Sequence, residues 1–242
     1  MHQFLLSVHH ISSLTVDNIY CKDANFELAV YDRQSHDDFF TQLVGWPAAE
    51  TIEHLAFSTY RYMSIVFMTL LSTCDMRLVK SLCVECFDGE EGYFTPKAHF
   101  GRTVMESVAH TLQYLVVEIG KIHESQSFPD INELSVLCSL EFRIFQGTCS
   151  PQDFDTSLDI LSTRPPTCIR VKYDFHPARI WLLKSGQWRR LEEVIMMHGE
   201  VPKEFRLVLK FTGWERSSRL TEKLHSGLPQ LSSRGLIEEI FE

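Results

Sequence analysis

The sequence predicts a predominantly helical α+β protein, in which an N-terminal β element packs on a helical body and a small α/β subdomain follows. Three observations lead there. The first 32 residues show period-two alternation. The apolar residues from Glu50 to Ser72 come nearly all round a helix. At Arg164-Pro165-Pro166 two prolines stop any helix and the composition changes. The expected division is therefore an acidic, mainly helical body over 1–163 and a mildly basic α/β subdomain over 164–242.

In the N-terminal element, Phe4-Leu5-Leu6-Ser7-Val8 is apolar and partly β-branched, and Leu14, Val16 and Ile19 follow. Phe26, Leu28 and Val30 alternate with their neighbours after a turn at Asp23-Ala24-Asn25. Ser35-His36-Asp37-Asp38 reads as a capped helix start with acids in its first turn, ahead of Phe39, Phe40, Leu43 and Val44. Trp46-Pro47 ends that helix. The central helix comes next, over Glu50 to Ser72, carrying Ile52, Leu55, Phe57, Tyr60, Met63, Ile65, Phe67, Leu70 and Leu71. A helix without a polar face belongs in a core.

Asp75 would cap a helix through Leu78, Val79, Leu82, Cys83 and Phe87. Thr95-Pro96 starts another that runs to Gly120 and buries Val104, Val108, Leu112, Leu115 and Ile119. Pro129 precedes a helix through Leu134, Leu137, Phe142 and Phe145, ended by Gly147, and Ser150-Pro151 starts the next. Beyond the double proline, Ile169–Tyr173 and 180–183 read as strands, Ser185-Gly186 as a turn and Leu191–Met197 as a short helix. Phe205–Phe211 alternates as a strand, and segments near 215–225 and 232–241 read as helices. No internal repeat is visible.

Composition narrows the function classes. Hydrophobic residues are 44% and charged residues 23% of the 242, enough for a core without metal or disulfides. The longest apolar run, Ile65–Met68, is far short of a membrane span, and no secretory leader is recognised, so the chain is expected to be soluble and intracellular. Seven irregularly spaced cysteines fit reduced thiols.

Candidate chemistries are few. Cys83-Val84-Glu85-Cys86 is a C-x-x-C that could be buried thiols, half a metal site or a redox pair. It lacks the second ligand pair a zinc site needs, and buried thiols are the expectation. His9-His10 in a strand would face opposite sides. Asp37-Asp38 is explained by helix capping, and Glu192-Glu193 by pairing with Arg189-Arg190. No Walker A, G-x-S-x-G, G-x-G-x-x-G or H-E-x-x-H occurs. The expectation is a non-enzymatic protein with no catalytic residue, metal or cofactor. An enzyme whose cysteine, histidine and acidic residues converge only in three dimensions is the outlying alternative.

Charge separates along the chain. Residues 1–163 carry 9 Lys+Arg against 22 Asp+Glu, and residues 164–242 carry 14 against 10. The basic part interleaves cations with Tyr173, Trp181, Trp188 and Trp214. Its candidate binding residues are Trp181, Trp188, Arg189, Arg190, Lys210 and Trp214, since Trp and Arg favour interface anchors. The same mixture can grip single-stranded or small RNA, cations tracking phosphates and rings stacking on bases. A solvated face over an aromatic core is the plainer reading.

Three segments, Phe57–Met63, Phe94–Ala98 and Phe142–Gly147, give the chain a resemblance to the small nonstructural proteins of plant-infecting negative-strand RNA viruses, nearest to that of the second genome segment of tenuiviruses. The resemblance implies an accessory protein of the host cytoplasm, and also the nucleus, that suppresses RNA silencing or antiviral defence by binding a host protein. It carries over no site residue. Direct RNA binding by the basic region is the alternative.

Overall fold

Strands, not helices, carry the architecture. The computed structural model describes residues 10–16, 50–57, 74–75, 78–86, 105–119, 130–144, 151–175, 184–197, 199–213 and 218–242. In chain order these form β1 (His10–Val16), β2 (Glu50–Phe57), β3 (Cys74–Asp75), β4 (Ser81–Cys86), β5 (Tyr114–Ile119), β6 (Ser139–Ile144), α1 (Pro151–Ser162), β7 (Arg170–Phe175), α2 (Ser185–Met196), β8 (Arg206–Phe211), α3 (Ser218–Gly227), α4 (Pro229–Ser233) and β9 (Ile237–Phe241). A short helical turn covers 105–108. The nine strands make one sheet, every pairing parallel, in the order β1-β2-β4-β5-β6-β7-β8-β9 with β3 beside β2. Spatial order follows chain order. Parallel neighbours need a crossover each time, so the unit of construction is a strand plus its return segment, stacked on the previous one as in a solenoid.

The predominantly helical α+β expectation is thereby corrected to a parallel α/β architecture. Glu50–Phe57 is strand β2 rather than the start of a central helix, and 58–72 lies outside the described residues. The helices expected at Asp75–Phe87 and through Phe142 are β3, β4 and β6, and the segment ending at Gly120 closes as β5. The false helical period has a physical source. Val108, Leu112, Leu115 and Ile119 are all buried, but they come from a helical turn, a loop and a strand in succession. Helix α1, strands β7 and β8 and helix α3 lie where the sequence places them. Helix α2 begins earlier, absorbing the expected Ser185-Gly186 turn, and 237–241 is a strand. The elements expected at 4–8, 26–30, 35–44 and 180–183 lie outside the described residues.

A repeat is present after all. Leu82, Leu115, Leu140, Val171, Leu207 and Ile237 stand in one row across the sheet, at spacings of 33, 25, 31, 36 and 30 residues. Three positions before the first four of them lie Val79, Leu112, Leu137 and Cys168, all fully buried. The carbonyls of Gln113 and Cys138 each accept two amides from the following unit, Cys138 and Ser139, then Ile169 and Arg170. The carbonyl of Lys80 does the same for Gln113 and Tyr114. Strands β5, β6 and β7 are thus entered through the same hydrogen-bonded step.

One sheet face and the helices enclose the core. Val117, Phe142, Tyr173 and Leu209 form a second buried row, and Ile119, Ile144, Phe175 and Phe211 a third. Phe154 and Leu158 of α1, Trp188 and Leu191 of α2, and Leu224 of α3 close over them. Phe175 stacks on Phe211 at 5.6 Å and Phe211 on Phe241 at 5.1 Å. The Trp188 ring meets Phe154 and Phe175 edge-on at 5.6 and 5.9 Å. Such ring pairs add about 0.5–1.5 kcal/mol each beyond the area they bury. The Tyr173 hydroxyl reaches Ser157 Oγ at 3.0 Å, so this buried polar tip is satisfied inside the core.

The sheet crosses the expected boundary at residue 164 without a break, because β6 and β7 pair along six residues on either side of it. Arg164 fastens the double-proline turn. Its guanidinium, 5% exposed, donates to Cys168 O at 3.1 Å and to Ile195 O at 3.0 Å, and lies 5.4 Å from the Phe205 ring centroid. A cation at the last turn of α2 also suits that helix's negative end.

Helix α3 approaches α2 closely at Gly227, where an added Cβ would sit 2.5 Å from Trp188 Cβ. Overpacking of a core costs about 1–3 kcal/mol, more than the ~1 kcal/mol an alanine gains over glycine in a helix. Gly227→Ala should therefore lower the urea midpoint. Gly186→Ala, with nothing within 4 Å of the new methyl, should raise it or leave it unchanged. Equal stabilisation by both would disprove the close packing of α2 and α3.

Candidate binding face on the open side of the sheet

Strand residues alternate between faces, so the rows between the core rows point away from the helices. One begins each strand: Ser81, Tyr114, Ser139, Arg170 and Arg206. The next is Cys83, Val116, Glu141, Lys172, Val208 and Glu238. The third includes Arg143, Asp174, Lys210 and Ile240. Asp174 and Val208 are buried at the floor of this face, and Tyr114, Arg170, Arg206 and Glu238 are exposed.

A chain of ion pairs runs across β6 to β9. Arg143 Nε donates to Glu141 Oε1 at 2.8 Å and Lys172 Nζ to Glu141 Oε2 at 3.0 Å. Lys172 Nζ also lies 3.9 Å from Asp174 Oδ2. Lys210 Nζ lies 3.6 Å from that same oxygen and 2.9 Å from Glu242 Oε2. Thr212 Oγ1 donates to the other Asp174 oxygen at 3.2 Å. Cations and carboxylates alternate and cancel. Burial alone would push the Glu141 carboxyl up. The hydrogen bonds and charges of Arg143 and Lys172 outweigh it and hold the group below the usual carboxylate range.

The residues singled out from the sequence are not gathered at one place. Lys210 stands on the open face, already engaged by Asp174 and Glu242. Arg189 and Arg190 are exposed on α2, on the other side of the sheet, and Arg190 pairs with Asp155 at 2.9 Å and Asp159 at 3.3 Å of α1. Trp188 is 1% exposed, and its indole N–H has no hydrogen-bond partner. It is a core ring rather than a surface anchor. Trp181 and Trp214 lie outside the described residues. What sequence reasoning missed is the open face itself. Its signal was the polar residue between apolar ones in Leu140-Glu141-Phe142-Arg143-Ile144 and Val171-Lys172-Tyr173-Asp174-Phe175.

Two other constellations fall on the described elements. Cys83 and Cys86 both fall on strand β4, and no group of three or more metal-ligating side chains occurs among the described residues. Ser232 Oγ, His225 and Glu239 form a hydrogen-bonded series, 2.7 Å to Nδ1 and 3.0 Å from Nε2 to Oε1, with Thr221 donating to Glu239 at 3.1 Å. Acyl transfer would also need free amides to hold an oxyanion. The amides of Ser232, Arg234 and Gly235 are spent on Leu228, Gln230 and Ser232 carbonyls. The series instead satisfies Glu239, the carboxylate that β9 places in an otherwise apolar row. Glu192, 4% exposed, accepts the Leu231 amide at 2.9 Å and so fixes α4 to α2.

Two outcomes follow from these environments. Glu141 is more acidic folded than unfolded, so its contribution is present above the ordinary carboxylate pKa and is lost as pH falls through its depressed folded value. Glu141→Gln should cost about 1 kcal/mol at neutral pH, solvent reaching Arg143 keeping the figure small. The deficit should vanish in strong acid, and urea titrations across that range measure it. Burial pushes the Cys168 thiol up to about 11, while Cys138 is exposed. A thiol reagent at neutral pH should label Cys138 at once and Cys168 only on unfolding. Rapid native labelling of Cys168 would contradict its place in the buried row.

Comparisons with protein-family models, with curated proteins and with solved structures find no match for this chain, so its functional reading stands on the geometry above.

Proposed function

We propose that this chain is a non-enzymatic scaffold that holds a partner protein on the open face of its parallel sheet. The observation that carries this reading is the asymmetry of the sheet. One face is sealed by helices into an aromatic core. The other displays rows of polar and charged side chains on a rigid ladder, with no helix packed on it among the described residues. The layout of strand plus return segment, with buried positions spaced like L-x-x-L-x-L at Leu112-x-x-Leu115-x-Val117 and Leu137-x-x-Leu140-x-Phe142, is that of leucine-rich-repeat solenoids. Such solenoids bind partners on extended surfaces of this kind. That parallel is an analogy of architecture, and function follows from the face.

Nucleic acid is a weaker fit. Lys172, Lys210 and Arg190 are each committed to carboxylates, and the basic residues are divided between the two sides of the sheet. A phosphate backbone gains affinity by releasing counterions from uncommitted cations on one surface. The segments behind the viral resemblance add nothing to the surface. Phe142 and Ile144 are core residues of β6, and the other two segments lie outside the described residues except for Phe57 of β2. A host silencing factor as partner therefore has the resemblance alone behind it.

Affinity purification from cells with the wild type, a Tyr114→Glu/Glu238→Lys variant and an Arg189→Glu variant tests the reading. A partner recovered with the wild type should be lost, about tenfold or more, in the open-face variant and kept in the helix-side variant. Loss only with Arg189→Glu would overturn it, as would a salt-sensitive gel shift with single-stranded RNA that the open-face variant leaves intact.

A further inference from the structure

Among the described residues of the open face, the cations are compensated except at one place. Arg143, Lys172 and Lys210 each meet a carboxylate. Arg170 of β7 and Arg206 of β8, directly opposite each other in the ladder, do not. Both are exposed. Arg170 makes no side-chain hydrogen bond or ion pair among the described residues. Arg206 Nη1 donates to the Lys203 and Phe205 carbonyls at 2.7 and 2.6 Å, which fixes its plane and leaves its other N–H groups without a protein acceptor there. Glu204, in the same turn as Lys203, pairs with neither arginine. Like charges side by side on neighbouring strands destabilise a sheet, and every other cation of the ladder is relieved by an acid.

The same row continues through Ser139 to Tyr114, whose ring is 49% exposed. Tyr114 and Arg206 are three strand spacings apart, about 14 Å, which roughly four residues of extended peptide span. We infer, resting on the scaffold reading above, that this row takes an extended acidic segment of a partner protein. Its carboxylates would lie on Arg170 and Arg206, and an apolar side chain about four residues away on the Tyr114 ring. Guanidinium groups suit this because their planar donors match a carboxylate pairwise. A continuous phosphate chain suits it less, because Glu141 of β6 and Glu238 of β9 stand in the next row of the sheet and Asp174 of β7 in the row after that.

The test uses the full chain and a fluorescein-labelled peptide, Leu-Ser-Glu-Ser-Glu flanked by serines, whose leucine and glutamates share one face when extended, in an anisotropy titration. The wild type should bind it, more weakly as salt rises. Arg170→Glu/Arg206→Glu should weaken binding about tenfold or more, and the same peptide with lysines for its glutamates should prefer that variant. Tyr114→Ala should weaken binding to a lesser degree, with unchanged thermal unfolding showing that the fold survives. No binding at millimolar peptide, equal binding by the double variant, or tighter binding of labelled oligouridylate would each overturn the inference. A cellular partner that is lost with Tyr114→Glu/Glu238→Lys but held by Arg170→Glu/Arg206→Glu would also overturn it, while leaving the open-face scaffold standing.

Discussion

The structure depends on the in-register stacking of one strand on the next. A strand of six residues cannot stand alone, and each one here leaves an apolar face that only its neighbours and the return segments can cover. Once Leu115, Leu140, Val171 and Leu207 align, every other position follows, because a slip of one residue would exchange core and open faces along the whole strand. The hydrogen-bonded step before β5, β6 and β7, at Lys80, Gln113 and Cys138, pins that alignment.

The aromatic residues concentrate where the described helices pack. Phe142, Phe154, Tyr173, Phe175, Trp188 and Phe211 form one connected cluster between β6–β8 and α1–α2. Toward β9 the second apolar row ends at Glu239, which α3 satisfies through Thr221 and His225. Burying that carboxylate without partners would be costly. The polar series on α3 and α4 supplies those partners.

The opposite face obeys a different constraint. Adjacent strands bring side chains within reach of each other in fixed rows, and charges there are either compensated or repel. Compensation runs from Arg143 to Glu242 and makes most of the surface neutral and rigid. A surface of that kind selects partners by complementarity more than by attraction at a distance, in keeping with a chain whose net charge of −9 gives no bulk pull toward nucleic acid.

The sequence by itself determined the strands at 170–175 and 206–211, the helices at 151–162 and 218–227, and the stop to helix at the double proline. In these segments, local period and start signals agree with the final packing. It also held the polar–apolar alternation of β6 and β7 in plain view. Tertiary structure decided the rest. Apolar residues from a turn, a loop and a strand (Val108, Leu112, Leu115 and Ile119) fell by chance at helical intervals, so 96–120 read as one helix, and the unequal lengths of the return segments hid the repeat from any fixed period. Whether Trp188 faced water or core, whether Lys210 was free or engaged, and which two arginines stood side by side were settled only when distant strands came into register. Pairing between residues some thirty positions apart leaves no local mark on the chain.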